Sequence, residues 1–377
     1  MLPTKLVRVD HQSPIPLAAQ VAQQLVWLIA SGQIKQADKL PSVRALANHL
    51  GVAIHTVQVA YQKLEAAGLV ETRRGSGTRL LPSERRSLAA ITPNLASWTI
   101  GVLIPEYSPF YGPFLRGLQE SAREISSLLF ICDTQEYGSS TTSYLDQLVA
   151  KSVDGIVVTS FVHADSPIWH GALSSPAGLP PLVFADSPGM PGPAVLFDLE
   201  GGAVQAARHI AQHGHHRIGA VMPPLSWTNV APILRGYRQG LAQDGLHLDD
   251  SLVASGPDFS PASGALACTR LLDRPQPPTA LLVASETLAI GVIRTLRERG
   301  LSIPGDVALV GFGDMEVAPV LDPALTTVAL PAYDMGLQAM AMLRQRLVGK
   351  KVRPRLVTID SHLVVRRSCG CGQEPAG

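Results

Sequence analysis

The chain has 377 residues, of which 46% are hydrophobic and 16% charged, so extended disorder is excluded and more than one hydrophobic core is expected. The net charge is +1, but residues 1–86 hold 11 Lys and Arg against 5 Asp and Glu, whereas residues 87–377 hold 20 against 25. A basic N-terminal domain beside a larger acidic one is typical of a protein that binds phosphate groups at one end.

The N-terminal sequence MLPTKLVRVDHQ lacks the apolar core of a signal peptide. No later run approaches the roughly 18 apolar residues that a membrane-spanning helix needs. We therefore expect a cytoplasmic protein with no membrane partner, whose four cysteines are reduced thiols outside any disulfide framework.

Three helices are predicted in the first 68 residues. Apolar residues at helical spacing begin the first helix at Leu17, and Gly32 supplies a stop. The second helix is capped by Ser42 and ends at Gly51, and the third runs from Ile54 to Ala67. Two short helices joined by a tight turn predict a helix-turn-helix.

Residues 69–81 predict a hairpin with a glycine-rich turn. Arg73 and Arg74 enter this turn, and the glycines that follow allow the backbone to approach another molecule closely. A wing against a DNA groove needs this combination, although these residues taken alone favour an ordinary surface hairpin.

Residues 14–80 resemble the winged-helix domain of the GntR family. The resemblance is carried by the motifs S-G-x-I, L-P-S-x-R, L-G-V, T-V-x-x-A-Y-x-x-L and R-R-G-S-G-T, in register. The chain departs from the family pattern at Gln36-Ala37 and at residues 53–55. The second departure touches the recognition helix, so it affects the DNA sequence that is read. The resemblance implies a double-stranded DNA operator as partner.

Candidate DNA contacts follow from both the helix geometry and the resemblance. Arg44 can reach a phosphate or a guanine edge, while His55, Thr56 and Gln58 lie at the start of the third helix. Thr56 and Gln58 have purely structural or solvated alternatives. The predicted DNA-binding residues are Arg44, Ser42, His55, Thr56, Gln58, Arg73, Arg74 and Gly75.

Residues 82–97 mix Pro, Ser and charged residues without apolar periodicity, which predicts a linker between a domain at 1–81 and a second at 98–370, with a tail at 371–377. In the second domain eight short apolar runs alternate with helical stretches. This pattern predicts an α/β fold with a doubly wound parallel sheet in two lobes. Ligands of such folds bind beyond the carboxyl ends of the strands, where this chain has Asp133, Ser160, Asp186, Asp198, Ser285-Glu286 and Phe312.

Residues 98–370 resemble the effector domain of LacI/GalR-type repressors, which is periplasmic-binding-protein-like. The motifs are I-G-V-L-I-P, V-D-G-I-V-V, R-G-Y-R-x-G-L and G-D-V-A-L-V-G-F. With the N-terminal domain, the order resembles the arabinose repressor architecture of Gram-positive bacteria. The resemblance implies a transcription regulator and repressor whose effector is a sugar or sugar-like molecule. We expect it to act as a homodimer, because one small winged helix rarely gives sufficient DNA affinity and paired half-sites restore it. The residues that it places at the effector are Phe110, Tyr111, Asp133, Ser160, Asp186, Trp227, Asn229, Phe259 and Glu286.

Two departures bear on the effector. Ser285-Glu286 stands where the family has Asn-Asp, and Ile233 stands where it has an arginine. Loss of a guanidinium removes a five-donor fork. The effector is therefore an unusual or larger sugar or a non-sugar metabolite, and a domain that serves only dimerisation is a further alternative. Each aromatic candidate has core packing as its alternative.

No catalytic residue, cofactor or metal site is predicted. The chain lacks G-x-S-x-G, a P-loop, H-E-x-x-H and a dinucleotide fingerprint. A pyridoxal-phosphate-binding body would need a core lysine, and after residue 97 the lysines are Lys151, Lys350 and Lys351, in helix-end or turn sequence. Cys369 and Cys371 form at most half a metal site, and the histidines at 213–216 indicate a polar helix end.

Overall fold

The computed structural model describes residues 6–11, 16–30, 34, 39–66, 68–73, 77–81, 98–125, 127–134, 140–159 and 179–371. The predicted linker, residues 82–97, and residues 372–377 of the predicted tail lie outside this part. Two compact units are present, Met1–Trp98 with Ala122–Leu128, and Thr99–Ser121 with Leu129–Gly377. Within the described ranges, no helix is both long enough and apolar enough to cross a bilayer.

The N-terminal unit contains three helices and a hairpin. These are α1 (Leu17–Ala30), α2 (Val43–Leu50), α3 (Ile54–Ala66), β1 (Val70–Arg73) and β2 (Gly77–Leu80). The strands are antiparallel, with Val70 opposite Leu80 and Arg73 opposite Gly77. Apolar side chains at helical spacing form one buried core, which includes Val21, Leu25, Leu28, Leu46, Val57 and Leu64.

Three local contacts fix the α2–α3 pair. The Ser42 hydroxyl accepts a hydrogen bond from the backbone N–H of Ala45 at 3.2 Å and so caps α2. Gly51 ends α2 in the left-handed region, with φ +64°. The buried Tyr61 hydroxyl donates to the carbonyl of Pro41 at 2.7 Å, which ties the middle of α3 to the start of α2.

The larger unit alternates strands and helices, as the sequence predicts. The strands are β3 (Thr99–Ile104), β4 (Leu128–Asp133), β5 (Gly155–Val158), β6 (Leu182–Ala185), β7 (Ala194–Phe197), β8 (Ile218–Met222), β9 (Val253–Ser255), β10 (Ala280–Val283), β11 (Ala308–Gly313), β12 (Thr327–Ala329), β13 (Leu356–Ile359) and β14 (His362–Val364). The helices are α4 (Tyr111–Glu124), α5 (Ser140–Ala150), α6 (Leu199–Gln212), α7 (Val230–Gln243), α8 (Pro261–Leu272), α9 (Glu286–Glu298) and α10 (Ala332–Leu347).

These strands form two six-stranded sheets, one in each lobe. The orders are β13-β7-β6-β5-β3-β4 and β14-β12-β11-β10-β8-β9. The eight predicted runs are all strands, and the predicted α/β fold with parallel sheets is confirmed. Two details differ: β9, β12, β13 and β14 were not predicted, and β14 pairs antiparallel with β12. Three of these four have only three residues, too few to show a period.

Helices α6 and α7 pack closely because two glycines of the R-G-Y-R-x-G-L motif lie between them. A Cβ atom on Gly236 would lie 2.4 Å from the carbonyl oxygen of Glu200, and one on Gly240 would lie 2.6 Å from that of Val204. Tyr237, between the two glycines, is fully buried. The motif therefore holds α7 against α6, and both helices begin at the cavity described below.

Candidate DNA-binding surface and effector cavity

The predicted DNA-binding residues at the start of α2 are accessible to solvent. Arg44 is exposed in the first turn of α2, two residues after the exposed capping residue Ser42. An exposed guanidinium at a helix start can meet a phosphate or a guanine edge. The Ser42 hydroxyl already accepts the capping hydrogen bond, so its first role is to shape the start of α2.

The first turn of α3 presents two side chains to solvent. His55 and Gln58 are three residues apart and both exposed, so they share one helix face. Thr56 is half-buried, and Val57 faces the core. The base-reading role predicted for this turn therefore suits His55 and Gln58 better than Thr56.

The hairpin carries exposed charge at its end. The Arg73 guanidinium pairs with the Glu71 carboxylate at 3.1 Å, and both side chains are largely in solvent, so the pair holds Arg73 only weakly. Arg74 and Gly75 lie outside the described residues. Of the predicted wing, the structure therefore describes Arg73 and the two strands on either side of the turn.

A cavity of about 590 Å³, counting its open mouth, lies between the two lobes of the larger unit. Its walls come from residues after β3, β6 and β7 on one side and after β8, β9, β10, β11 and β12 on the other. This is where ligands bind in doubly wound sheets. The predicted residues that line it are Phe110, Tyr111, Asp186, Asn229, Phe259 and Glu286.

Asp186 is buried at one wall in an unusual backbone conformation. Its φ of +48° lies in the left-handed region that non-glycine residues rarely adopt, and its backbone N–H donates to Val195 at 2.9 Å. The Oδ1 atom has no hydrogen-bond partner within the described residues. Burial raises the pKa of Asp186 from 3.8 to about 7. A strained, buried and unsatisfied carboxyl group is typical of a ligand contact.

Glu286 occupies the opposite wall at the start of α9. Oε2 accepts a hydrogen bond from the backbone N–H of Met315 at 2.7 Å. Oε1 has no partner of normal geometry in the described structure, although the Thr327 hydroxyl lies close enough to lower the pKa. Burial outweighs these interactions and raises the pKa of Glu286 to about 7. The first residue of a helix can also favour the helix dipole from an exposed position, but the Glu286 side chain is fully buried, which excludes that exposed position.

The remaining predicted residues complete the walls to different degrees. Asn229 is buried, makes no capping hydrogen bond, and leaves its Oδ1 atom without a partner among the described residues. The Phe110 and Tyr111 rings meet edge to face at 5.2 Å. Trp227 is not among the lining residues, but its ring lies 5.1 Å from that of Phe259 and so supports that wall.

Three predicted positions do not line the cavity or lie outside the described residues. Asp133 does not line it, and its carboxylate instead accepts a hydrogen bond from the backbone N–H of Tyr107 at 3.3 Å. Asp198, considered as a strand-end candidate, caps α6 by accepting from Gly201 at 2.9 Å. Ser160 lies outside the described residues.

Sequence reasoning missed several lining residues. Ile233 was noted only as the replacement for an arginine, yet it is buried at the cavity wall. Glu106 and Leu330 follow the ends of β3 and β12, so counting two further residues past each strand end would have found Glu106. Leu330 follows a three-residue strand, which gives no sequence signal.

The cavity accepts hydrogen bonds more readily than it donates them. Glu106, Asp186 and Glu286 supply carboxyl groups, and none of the described residues that line the cavity is Lys or Arg. A phosphate or carboxylate ligand would meet no compensating cation here. The aromatic rings of Phe110, Tyr111 and Phe259 offer faces and edges to an apolar surface.

Comparisons with known proteins agree with this arrangement. Residues 17–80 match the family of bacterial regulatory proteins, gntR family, and residues 207–369 match the periplasmic binding protein-like domain. The chain is 30% identical over 275 residues to the HTH-type transcriptional repressor CytR of Escherichia coli, which covers 72% of this chain and 79% of that protein.

A second relative and a solved structure extend further along the chain. Identity is 30% over 315 residues with the HTH-type transcriptional regulator CelR of Thermobifida fusca, which covers 82% of this chain and 86% of that protein. A solved transcriptional regulator CelR–cellobiose complex superimposes with a TM-score of 0.66 at 27% identity, and covers 87% of this chain and 100% of that one.

Proposed function

We propose, because this chain belongs to the LacI-type family of ligand-responsive, DNA-binding transcription regulators, that a neutral molecule rich in hydroxyl groups binds its cavity and controls its affinity for an operator. The N-terminal domain is of the GntR type. The observation that carries the proposal is the set of three buried acceptor atoms, on Asp186, Asn229 and Glu286, that have no hydrogen-bond partner among the residues that the structure describes. Vicinal hydroxyl groups of a sugar would satisfy such acceptors.

The absence of a cationic side chain among the described lining residues narrows the ligand class. A sugar phosphate would bury its charge beside Asp186 and Glu286, which is unfavourable without a paired cation. The related CelR has been solved with cellobiose. We therefore favour an unphosphorylated sugar, and the apolar Ile233 suits a ligand with an apolar face at that position.

We further propose a cytoplasmic homodimer that binds paired half-sites through its GntR-type domains, in the domain order of the arabinose repressor. Leu128 and Phe130 occupy one face of the edge strand β4 and are 68% and 46% exposed. Exposed apolar residues along an edge strand favour association with a second copy. A dimer also provides the affinity that one small winged helix lacks.

Coupling would arise if the effector changes the relative orientation of the two lobes that form the cavity. Residues from both sheets line it, so a ligand that contacts both favours one lobe arrangement over the other. In systems of this kind the coupling free energy is about 1–3 kcal/mol. The protein would act by binding alone, without a catalytic step.

A thermal-shift screen of the full chain tests the ligand class. Matched pairs of neutral sugars and their phosphates are compared, and hits are verified by calorimetric titration. We expect stabilisation by one or more neutral sugars and none by the phosphates. Preference for a phosphorylated member would contradict the proposed class, and no stabilisation by any sugar would favour a non-sugar metabolite or a domain that only dimerises.

A further inference from the structure

A group of four metal-ligating side chains lies in the larger unit, apart from the residues that line the cavity. His209, His213, Cys369 and Cys371 place one ligand atom each within 4.8 Å of one another. The Nε2 atom of His209 lies 3.2 Å from the sulfur of Cys369 and 3.8 Å from that of Cys371, and the Nε2 atom of His213 lies 3.2 Å from the sulfur of Cys371. None of the four residues lines the cavity.

We propose that these four residues bind one Zn²⁺ ion. A tetrahedral zinc ion with bonds of about 2.3 Å to sulfur and about 2.0 Å to nitrogen separates its nitrogen and sulfur ligands by about 3.5 Å. The three nitrogen–sulfur distances lie within a few tenths of an ångström of that value. Two imidazoles and two thiolates are a common ligand set of structural zinc sites.

The local structure directs all four groups to one point. His209 and His213 are four residues apart at the end of α6, so they lie on the same helix face, and their ring centroids are 4.7 Å apart. Gly370 has φ +99°, a conformation that lets the chain turn between the two cysteines. Cys369 is buried and His213 is exposed, so the ion can enter from solvent.

A second layer of hydrogen bonds supports the Cys369 sulfur. The Thr326 hydroxyl donates to it at 3.1 Å, and that hydroxyl in turn accepts from the backbone N–H of Arg366 at 2.8 Å. Ser368 is anchored on both sides, since its Oγ atom accepts from Thr326 and donates to Leu309, each at 2.8 Å. Outer contacts of this kind orient metal ligands.

The ion would clamp the C-terminal segment onto α6. That segment follows β14, the antiparallel edge strand of its sheet, and contacts α6 at the end opposite to Leu199, which lines the cavity. Binding to the folded state alone stabilises a protein by mass action. Zinc should therefore raise the melting temperature by several degrees.

The test uses the full, untagged chain, kept reduced with a phosphine, stripped with a chelator and then titrated with Zn²⁺. We expect one tightly bound zinc per chain by elemental analysis and chelator competition, and a higher melting temperature. Co²⁺ in place of zinc should give the intense visible bands of tetrahedral coordination together with sulfur-to-cobalt charge transfer.

Variants separate this site from adventitious binding. Cys371→Ser and His213→Gln change accessible ligands, so each should remain folded by circular dichroism and lose both the zinc and the stabilisation. His216→Gln and Cys132→Ser, a neighbouring histidine and a thiol outside the cluster, should retain both. Four results would each overturn the proposal. They are less than one zinc per chain, zinc retention by Cys371→Ser equal to that of the unchanged chain, cobalt spectra without charge transfer, and a Cys369–Cys371 disulfide in the reduced preparation.

Discussion

The carboxylate of Glu286 accepts a hydrogen bond from the backbone N–H of Met315, with the oxygen and nitrogen 2.7 Å apart. This bond joins the first residue of α9 to the segment that follows β11, so two neighbouring strand ends share one buried carboxyl group. One oxygen is thereby fixed, and the other, Oε1, is buried without a hydrogen-bond partner among the described residues, on a side chain that lines the cavity. The same pairing explains why the side chain tolerates full burial.

Stability of the ligand-free protein should fall as the pH rises through neutrality. Burial raises the pKa of Asp186 from 3.8 to about 7 and that of Glu286 from 4.5 to about 7, where the nearby Asp314 carboxylate also contributes. The folded state therefore binds these protons more tightly than the unfolded chain. The stability that they provide is present below about pH 4 and is lost as the pH rises through about 7.

Melting temperature measured between about pH 5.5 and 8 checks this dependence. Asp186→Asn should make the melting temperature depend less on pH, because an amide does not titrate in this range. Combining it with Glu286→Gln should reduce the dependence further. A melting temperature of the double variant that follows the pH as steeply as that of the unchanged chain would contradict the assignment.

Replacement of Arg44 should weaken operator binding without changing the affinity for the effector. Arg44→Ala should cost about 1–3 kcal/mol of DNA affinity if the guanidinium meets a base edge or a phosphate. Arg44→Lys keeps the charge but loses the fork, so it should retain most affinity for a phosphate role and little for guanine recognition. Affinities are measured on an operator selected from random DNA, at several salt concentrations.

Effector binding by the Arg44 variants is the control for folding. Equal losses of DNA and effector affinity would indicate misfolding and leave the assignment unsupported. Unchanged DNA affinity in Arg44→Ala would show that Arg44 does not contribute to DNA binding.

The features that the sequence could predict are those set by local pattern. The α2–α3 pair was predictable because Ser42 and Gly51 mark the helix ends directly. Asp186 and Glu286 were predictable as cavity residues because each follows a buried strand of a parallel sheet, and such strands end at one edge. In both cases the decisive information lies within a few residues of the site.

The features that escaped prediction depend on contacts between distant residues. The sulfur of Cys369 contacts the imidazole of His209, which is 160 residues away in the sequence. Neither the two cysteines nor the two histidines alone therefore suggested a complete ligand set. Asp133 also ends a strand, but its strand β4 is at the sheet edge, which removes it from the cavity. Strand order is a property of the fold that a single sequence does not display.

Disruption of the apolar face of β4 should dissociate the dimer. Phe130 is 46% exposed on this edge strand, and Phe130→Glu places a charge on the face that the proposed partner would cover. Sedimentation should show monomers and footprinting should show weakened paired half-sites. Val348→Glu, at a residue 54% exposed outside β4, is the matched control and should remain dimeric. Dimers that persist in Phe130→Glu would locate the interface elsewhere.

Conversion of Glu286 to glutamine should reduce effector affinity more than it changes stability. The substitution keeps the side-chain volume, and the amide oxygen can still accept from Met315, but the position of Oε1 is then taken by an NH₂ donor. A hydroxyl that donates to Oε1 then loses its acceptor, which corresponds to about 1.5–3 kcal/mol of binding free energy when the measurement is made above the raised pKa of about 7, where the carboxylate is ionised. Because the buried carboxyl is itself unfavourable without a ligand, the melting temperature of the free protein should fall little or rise near neutral pH. Calorimetric titration with the effector and thermal unfolding measure the two quantities separately. Glu298→Gln, at the exposed end of the same helix, should change neither, since its carboxylate pairs with Arg294 in solvent. Unchanged affinity in Glu286→Gln would show that this carboxyl group holds Met315 in place and does not contact the effector.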